Sequence, residues 1–283
     1  MTTLLIDADI VAYKAAAAGQ KSFAFDDEEP ALHVDDIEGV IQEVDDWLTD
    51  LKANLGATRI VSCLSCPAKD NFRYGIYPLY KHNRADTVRP VLLSAVRQHL
   101  EANHNPVRWA NLEGDDVMGI LATSKSLIKG PKIVVSEDKD LAQIPGMLFN
   151  PRKMLEPELV TLEAADRWFY TQVLTGDQTD GYPGCPGIGP VKAEKILAAA
   201  GGDPWKAIVQ AYAAKGLTEE DALVQARVAR ILRSTDYNNK KKEVKLWTPA
   251  KAKKRALGVR SFTKTKTPTE STPQGVSAVP AQV

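Results

Sequence analysis

The sequence predicts an α/β protein in which helices flank a parallel central sheet, followed by a helical region towards the C-terminus. Short apolar runs alternate with helix-like stretches over the first part of the chain. From about residue 160 to residue 237 the pattern is helical. Alternation of strands and helices indicates parallel pairing, because a crossover between parallel strands usually contains a helix.

Five apolar runs have the length and composition of buried strands. They are short and mostly rich in Val, Ile and Leu, as expected for strands covered on both faces. The predicted strands span residues 3–6, 58–64, 107–109, 132–136 and 147–150.

Three stretches between these runs have the apolar spacing of helices. They span residues 34–55, 90–102 and 115–128. In the first, apolar residues recur at a period close to 3.6, at Val40, Val44, Trp47, Leu48, Leu51 and Leu55.

Four short acidic clusters end or follow these elements. Ligands of parallel α/β sheets sit at the carboxyl ends of the strands, and the first three clusters fall at such ends. Helix capping explains one acid of the second cluster well but three poorly. For each cluster taken alone, a chance grouping of surface acids is an equally good explanation. The clusters contain Asp7, then Glu113, Asp115 and Asp116, then Asp138 and Asp140, then Asp177 and Asp180.

Eight carboxylates at one edge of a sheet predict bound cations, because unpaired buried charges are too costly. Carboxylate oxygens suit hard divalent ions, so we expect two or more Mg²⁺ ions, with Mn²⁺ able to substitute. Two such ions a few ångströms apart are typical of sites that hydrolyse phosphodiesters.

A glycine-rich loop at residues 184–190 precedes another predicted helix. Its glycines permit close backbone approach, and the helix start presents free N–H groups, which favours a bound phosphate. A plain turn between helices is the alternative, although a turn needs only one glycine. The predicted DNA-binding residues here are Gly187, Ile188, Gly189, Lys192 and Lys195.

Residues 80–84 read Y-K-H-N-R and follow the second predicted strand. Lys81 and Arg84 suit a scissile phosphate, and Tyr80 suits a stacked terminal base. Taken alone this signal is weak, since such runs are common on protein surfaces.

Charge is unevenly distributed along a chain whose formal net charge is zero. Residues 1–50 contain 13 acids and two Lys, whereas residues 226–266 contain 14 Lys or Arg and two acids. A basic segment favours a nucleic-acid partner, although a solvated helix before a disordered tail has the same composition. Three cysteines give no disulfide framework, and neither a signal peptide nor a membrane span is predicted.

The order of these motifs resembles the 5′-nuclease (flap endonuclease) superfamily. The matching motifs are I-D at 6–7, Y-K-H-N-R at 80–84, E-G-D-D at 113–116, S-E-D-K-D at 136–140, G-D-Q-T-D-G-Y-P-G at 176–184 and G-I-G-P at 187–190. E-G-D-D-V-M-G at 113–119 is most similar to the short bacteriophage 5′→3′ exonucleases. The resemblance covers about residues 4–248.

This resemblance implies a PIN-like metal-dependent nuclease domain at residues 1–180 and a helix-three-turn-helix DNA-binding region at 181–248. A basic, disordered tail would follow at 249–283. The resemblance further implies that the eight carboxylates are metal ligands and that Lys81 and Arg84 are catalytic cations. It also implies a K⁺ ion at the 184–190 loop.

The sequence departs from the family pattern after the second strand, where the family usually has an Asp. Cys66 stands near that position, and Asp70 follows four residues later. Either Asp70 replaces the acid through a shifted loop, or the site has one acid fewer.

The expected function is Mg²⁺-dependent 5′→3′ exonuclease activity with flap endonuclease and RNase H-like capacity, in phage DNA replication or recombination. The substrates would be duplex DNA with a 5′ end or 5′ flap, and an RNA–DNA hybrid. We expect a cytoplasmic monomer, in the infected host cell if the chain is phage-encoded. One alternative is a catalytically weakened, structure-specific DNA-binding protein. Another is a PIN-like ribonuclease, which the glycine-rich loop disfavours.

Overall fold

Parallel strands form the centre of this computed structural model, which describes residues 1–23, 31–84 and 87–249. In chain order, its strands are β1 (Thr3–Asp7), β2 (Gln20–Phe23), β3 (Ala31–Val34), β4 (Arg59–Cys63), β5 (Lys132–Val135), β6 (Gly146–Phe149), β7 (Glu158–Val160), β8 (Tyr237–Asn238) and β9 (Glu243–Val244). The main sheet has the order β4-β1-β5-β6-β7, and only β7 runs antiparallel to its neighbour.

Helices cover both faces of this sheet. The α-helices are α1 (Ala8–Ala18), α2 (Ile37–Asn54), α3 (Leu93–Asn103), α4 (Gly114–Thr123), α5 (Leu162–Thr175), α6 (Pro190–Ala198), α7 (Pro204–Ala213) and α8 (Glu219–Ala229). The expected parallel sheet with flanking helices and a helical region after it is thus confirmed.

Strand β1 is buried over its whole length and divides the core into two layers. Leu4 and Ile6 pack with the apolar faces of α1, α2 and α3 on one side of the sheet. Leu5 packs with α4 and with Ile231 and Leu232 on the other side. This alternation follows from the two-residue side-chain period of a strand.

Helices α5 to α8 surround a third apolar core. Phe169, Ile208 and Tyr212 lie at its centre and are almost fully buried. Gln143, at the end of a 3₁₀ turn beyond β5, ties this region to the sheet: its side chain donates to Ala229 O at 2.7 Å and accepts from Ile231 N at 3.1 Å.

Residues Met1–Pro249 form one compact unit. The expected boundary between residues 180 and 181 stays a prediction. Apart from Pro249, the expected tail at 249–283 lies outside the described residues. None of the described helices combines the length and apolar character that a membrane crossing needs.

Four of the five predicted strands are present, to within one residue at each end. The prediction of a strand at 107–109 was wrong. Val107 makes one parallel bridge with Cys63, and the chain then turns away through Asn111, whose φ is 64°. Trp109 stacks instead on Tyr237, with 5.1 Å between ring centroids. Its apolar character therefore reflects packing and not pairing.

Helix α1 and the β2–β3 hairpin were not predicted from the sequence. The Ala-rich sequence of α1 carries no clear apolar period. The hairpin strands are four residues each and lie outside the main sheet, so they lack the long apolar runs of buried strands.

Gly119 on α4 offers a test of this packing. A Cβ atom at this position would lie 2.3 Å from Leu232 O, so Gly119→Ala should lower the free energy of unfolding by about 1–3 kcal/mol. Gly39 on α2 has open space around it, and Gly39→Ala should raise stability by up to about 1 kcal/mol through helix propensity. Urea denaturation measures both changes. Equal effects would contradict the close approach of α4 to Leu232.

Candidate active site

The acidic clusters meet at the carboxyl edge of the sheet. Asp7 is the last residue of β1, and the Asp138 cluster follows its parallel neighbour β5. Helix α4 starts beside them, since a Cβ atom on Gly114 would lie 3.3 Å from Cys63 O at the end of β4. Asp180 shares the hydroxyl group of Tyr80 with Glu113 on this edge, so all four clusters converge there.

Asp7 is buried within this edge. Its carboxylate accepts hydrogen bonds from Ser136 Oγ at 2.8 Å and from Ile10 N at 3.1 Å, the latter capping α1. Burial, together with the nearby charges of Asp9 and Asp138, raises the pKa of Asp7 to about 7. Without a bound cation, the surroundings of Asp7 therefore disfavour its charged form.

Asp115 and Asp140 share this condition. Burial and repulsion from Asp7 and Asp138 raise the pKa of Asp115 well above its ordinary value. Burial and the charges of Asp138 and Asp177 raise the pKa of Asp140 to about 7. In the described part of the structure, Asp140 Oδ1 is buried without a hydrogen-bond partner. Such an orphaned oxygen fits the role of a metal ligand.

Glu113 is instead neutralised by cations of the protein. Lys81 Nζ donates to Oε1 at 2.5 Å, while Arg73 Nη1 at 3.1 Å and the Tyr80 hydroxyl at 2.8 Å donate to Oε2. Although burial acts to raise it, Lys81 and Arg73 lower the pKa of Glu113 to about 2. These contacts therefore favour the charged form of Glu113.

Asp177 and Asp180 lie in the loop after α5. Asp177 Oδ1 accepts from the backbone N–H groups of Thr179 at 2.7 Å and Asp180 at 3.1 Å, and Lys139 Nζ lies 3.2 Å from Oδ2. Burial acts to raise the pKa of Asp177, but these hydrogen bonds lower it. The pKa of Asp180 is raised, chiefly by burial.

Asp116 differs from the other predicted ligands, because all its hydrogen-bonding capacity is used inside the protein. Arg73 donates to both oxygens, at 2.7 and 2.9 Å, and the backbone N–H groups of Leu232 and Glu113 donate at 3.0 and 3.3 Å. A carboxylate has about four lone-pair positions. With these four contacts in place, the geometry does not support Asp116 as a metal ligand and makes it a structural residue.

Arg73 was not identified from the sequence. Its guanidinium group is 3% exposed and also donates to Val228 O at 2.9 Å, in the last turn of α8, and to Arg230 O at 2.7 Å, directly after α8. The only sequence signal is an excess of acids at 113–116, which implies a basic partner without identifying it.

The segment that carries Lys81 and Arg84 is docked on the loop of Asp180. Lys81 N donates to Asp180 O at 2.8 Å, and Arg84 Nη2 lies 2.6 Å from Asp180 Oδ1. Lys81 has a φ of 54°, a strained value for a residue with a side chain. Both predicted catalytic cations therefore face the acidic edge.

Tyr80 does not fit the role expected from the sequence. Its ring is 2% exposed and belongs to the core between α5 and α8, so it cannot stack on a nucleobase. Its hydroxyl oxygen lies 2.8 Å from Glu113 Oε2 and 2.9 Å from Asp180 Oδ2. Because the hydroxyl group has a single proton, the two carboxylates share one donor. Tyr80 therefore positions carboxylates.

The glycine-rich loop is fastened to the loop of Asp177. Gly184 has a φ of 63°, and a Cβ atom there would lie 2.2 Å from Gly176 N, so only glycine fits. Pro190 begins α6 directly after Gly189, and Lys192 and Lys195 are exposed on its first turns. Gly187 and Gly189 are exposed, whereas the Ile188 side chain is buried. The predicted phosphate contacts of this loop are therefore backbone contacts.

Cys66 and Asp70 follow β4 as expected, but in different surroundings. Cys66 is buried, and burial together with the charges of Glu113 and Asp70 raises the pKa of its thiol to about 11. Asp70 is exposed at the end of a 3₁₀ turn. Asp70 as a replacement for the missing family acid stays a prediction.

Comparison with known proteins extends this description. Residues 2–160 match the family model of the 5′-3′ exonuclease N-terminal resolvase-like domain. The chain is 30% identical to an exodeoxyribonuclease of Enterobacteria phage T3 over 87% of this chain and 92% of that protein. It is 33% identical to an exonuclease of Escherichia phage T7 over 61% and 68% of the two chains.

A solved structure of the bacteriophage T5 D15 flap endonuclease, in a complex with DNA and metal ions, has a similar fold. The TM-score is 0.59 and the identity 14%, over 83% of this chain and 90% of that one.

Stability without divalent ions should fall as the pH rises from about 4 to about 7. The pKa values of Asp7 and Asp140 are raised from 3.8 to about 7 in the folded protein, so the native state binds more protons than the unfolded chain in this window. Their contribution to stability is complete below about pH 4 and is lost as the pH rises through about 7. Thermal unfolding in EDTA across this range measures the effect.

Two variants control this measurement. Asp140→Asn should flatten part of the pH dependence, whereas Asp50→Asn, at an exposed position of α2, should leave it unchanged. A flat profile for the unsubstituted protein would contradict the crowding of buried carboxyl groups.

Proposed function

Because this chain belongs to the 5′-3′ exonuclease family, we propose that it hydrolyses phosphodiesters of duplex DNA at a 5′ end or 5′ flap with bound Mg²⁺. Family membership confirms the predicted enzyme class, a nuclease near the phage exonucleases. The observation that carries the proposal is the group of buried carboxyls with raised pKa values, Asp7, Asp115 and Asp140, none of which forms a salt bridge with another described residue.

The donor set fits hard divalent cations, which take oxygen ligands. When bound, two such ions would supply hydroxide from water and stabilise the attacking and leaving oxygens. Among the described residues, no three of these carboxylates lie within 4.8 Å of one another, so ion binding would draw them inward. The proposed ligands are Asp7, Glu113, Asp115, Asp138, Asp140, Asp177 and Asp180.

Lys81 and Arg84 would hold the scissile phosphate. Both are now paired with carboxylates, Lys81 with Glu113 and Arg84 with Asp180. Charge-assisted hydrogen bonds to a phosphate have comparable strength, so exchange of partners costs little. With Glu113 and Asp180 neutralised by bound cations, these two side chains would be available to the substrate.

The 184–190 loop would bind the duplex at a position distant from the cleaved bond. The start of α6 presents free backbone N–H groups, and Lys192 and Lys195 add positive charge. Contact of Gly176 with Gly184 fixes the distance between this loop and Asp177. A K⁺ ion at the loop, Mn²⁺ substitution and cleavage of RNA–DNA hybrids stay predictions.

A DNA-binding protein without hydrolysis is less well supported. Its only basis is the absence of an acid near Cys66. Seven carboxylates remain at the edge, and Lys81 and Arg84 face them.

Asp115→Asn tests the catalytic proposal with little structural disturbance. This change removes one charge from the crowded edge and preserves the size of the side chain, so the fold should be retained. We expect Mg²⁺-dependent release of nucleotides from a 5′-labelled duplex to fall at least 100-fold, about 3 kcal/mol of transition-state stabilisation. Asp50→Asn is the matched control and should cleave normally. Cleavage by Asp115→Asn at the rate of the control would refute the ligand assignment.

Lys192→Ala/Lys195→Ala tests the duplex contact. If both side chains contact phosphates, the slope of log K against log salt concentration should fall by about 2, roughly 0.9 for each lost contact. Fluorescence anisotropy with a labelled duplex in Ca²⁺, which should prevent turnover, measures the slope. Lys125→Ala/Lys129→Ala, on the loop after α4, is the control. Identical slopes for the two double variants would exclude this contact.

A further inference from the structure

Asp45, His99 and His104 form a cluster that shares no residue with the acidic clusters of the candidate active site. Asp45 lies on α2, His99 on the last turns of α3, and His104 directly after α3. Asp45 Oδ1 lies 2.9 Å from His99 Nε2 and 2.6 Å from His104 Nε2. Within the described ranges, this is the one group of three acidic, His or Cys residues whose ligand atoms lie within 4.8 Å of one another.

The composition of the cluster selects the class of metal. Imidazole nitrogens favour Zn²⁺ and other late first-row ions, whereas Mg²⁺ takes oxygen ligands. Two His and one carboxylate form a known zinc ligand set, and a water completes a tetrahedron. The side chains are 13% (His99), 23% (His104) and 36% (Asp45) exposed, so an ion can enter and the fourth position can reach solvent.

The distances fit with a small adjustment. Tetrahedral zinc with bonds of about 2.0–2.2 Å holds its ligand atoms roughly 3.3–3.6 Å apart. The Asp45–His distances of 2.9 and 2.6 Å would therefore open by about 1 Å or less. Both imidazoles already direct Nε2 to the same carboxylate oxygen, so no change of secondary structure is needed.

His99 also has a neighbour at its other ring nitrogen. A ligating His keeps a proton on its other ring nitrogen and donates it to a partner. The side-chain amide nitrogen of Asn103 lies 3.0 Å from His99 Nδ1 and donates to His99 O at 3.1 Å. Rotation of that amide by 180° would present its oxygen to Nδ1 as the acceptor, at the cost of the bond to His99 O.

We propose that Asp45, His99 and His104 bind one Zn²⁺ ion that cross-links α2 to the C-terminal end of α3, independently of the Mg²⁺ ions at the acidic edge. Helix α3 also carries Arg97, whose guanidinium group lies 2.5 Å from Asp9 Oδ1 near the candidate active site. Arg97 and His99 are two residues apart and so point to nearly opposite sides of the helix. The zinc site thus fixes the outer side of a helix whose inner side contacts the catalytic edge.

Zinc titration of the full-length, metal-stripped protein tests this proposal. Saturating Mg²⁺ occupies the acidic edge, and a chromophoric chelator reports the competition for Zn²⁺. We expect one Zn²⁺ to bind and to raise the thermal unfolding temperature. Co²⁺ at the same site should give the visible absorption bands of a tetrahedral ion.

Variants of the cluster decide between this site and the acidic edge. His99→Ala/His104→Ala should weaken Zn²⁺ binding by at least about 10- to 100-fold and abolish the Co²⁺ bands. His33→Ala, which removes an exposed His elsewhere, should bind as the unsubstituted protein does, and so should Asp115→Asn.

Asp45→Asn is the second variant, used because loss of both imidazoles can impair folding. It preserves side-chain volume and removes the anionic ligand, so it should also lose affinity while circular dichroism stays unchanged. Unaltered Zn²⁺ binding in a folded cluster variant would overturn the proposal. So would the absence of Zn²⁺ binding in the unsubstituted protein, which would leave the cluster a purely structural set of Asp–His hydrogen bonds.

Discussion

Negative charge gathered at one edge of the sheet is the constraint on which the rest of the structure depends. Two parallel neighbours, β1 and β5, end there, and α4 begins there, so the acids that they carry lie close together. Buried Arg73 offsets Asp116 and part of the charge of Glu113, and Lys81 offsets the remainder. Among the described residues, Asp7, Asp115 and Asp140 form no salt bridge, and burial with the charges of neighbouring carboxylates raises their pKa values.

The same electrostatic requirement holds the two parts of the chain together. Arg73 binds Asp116 on α4 and the carbonyl oxygens of Val228 and Arg230 at the C-terminal end of α8, so one buried guanidinium joins the sheet region to the helical region. Removing one partner of a buried ion pair typically costs about 3–5 kcal/mol, because a charge is left uncompensated. The position of the 184–190 loop relative to the acidic edge therefore depends in part on this buried ion pair.

The sequence predicted the fold class, four strands of the sheet and the convergence of the acidic clusters, because apolar runs and strand-end acids are local patterns. The sequence alone could not distinguish the role of Asp116 from that of the other acids, because that role depends on Arg73, which is 43 residues away. The prediction that Tyr80 stacks on a base was wrong for a related reason. An aromatic ring beside Lys81 and Arg84 indicates stacking on a base only if it is exposed, and its burial depends on the core between α5 and α8. Asp45, His99 and His104 carry no recognisable spacing, because two helices bring them together.

The central claim is that the carboxylates at the sheet edge hold divalent cations where Lys81 and Arg84 can present a phosphate. The most direct measurement is X-ray diffraction from crystals grown with Mn²⁺, with anomalous difference maps to locate the ions. We expect anomalous peaks bounded by Asp7, Asp115, Asp138 and Asp140, with their carboxylates drawn inward and the Asp116–Arg73 pair unchanged. An edge without bound Mn²⁺ at saturating concentration, or an ion that displaces Arg73 from Asp116, would contradict the claim.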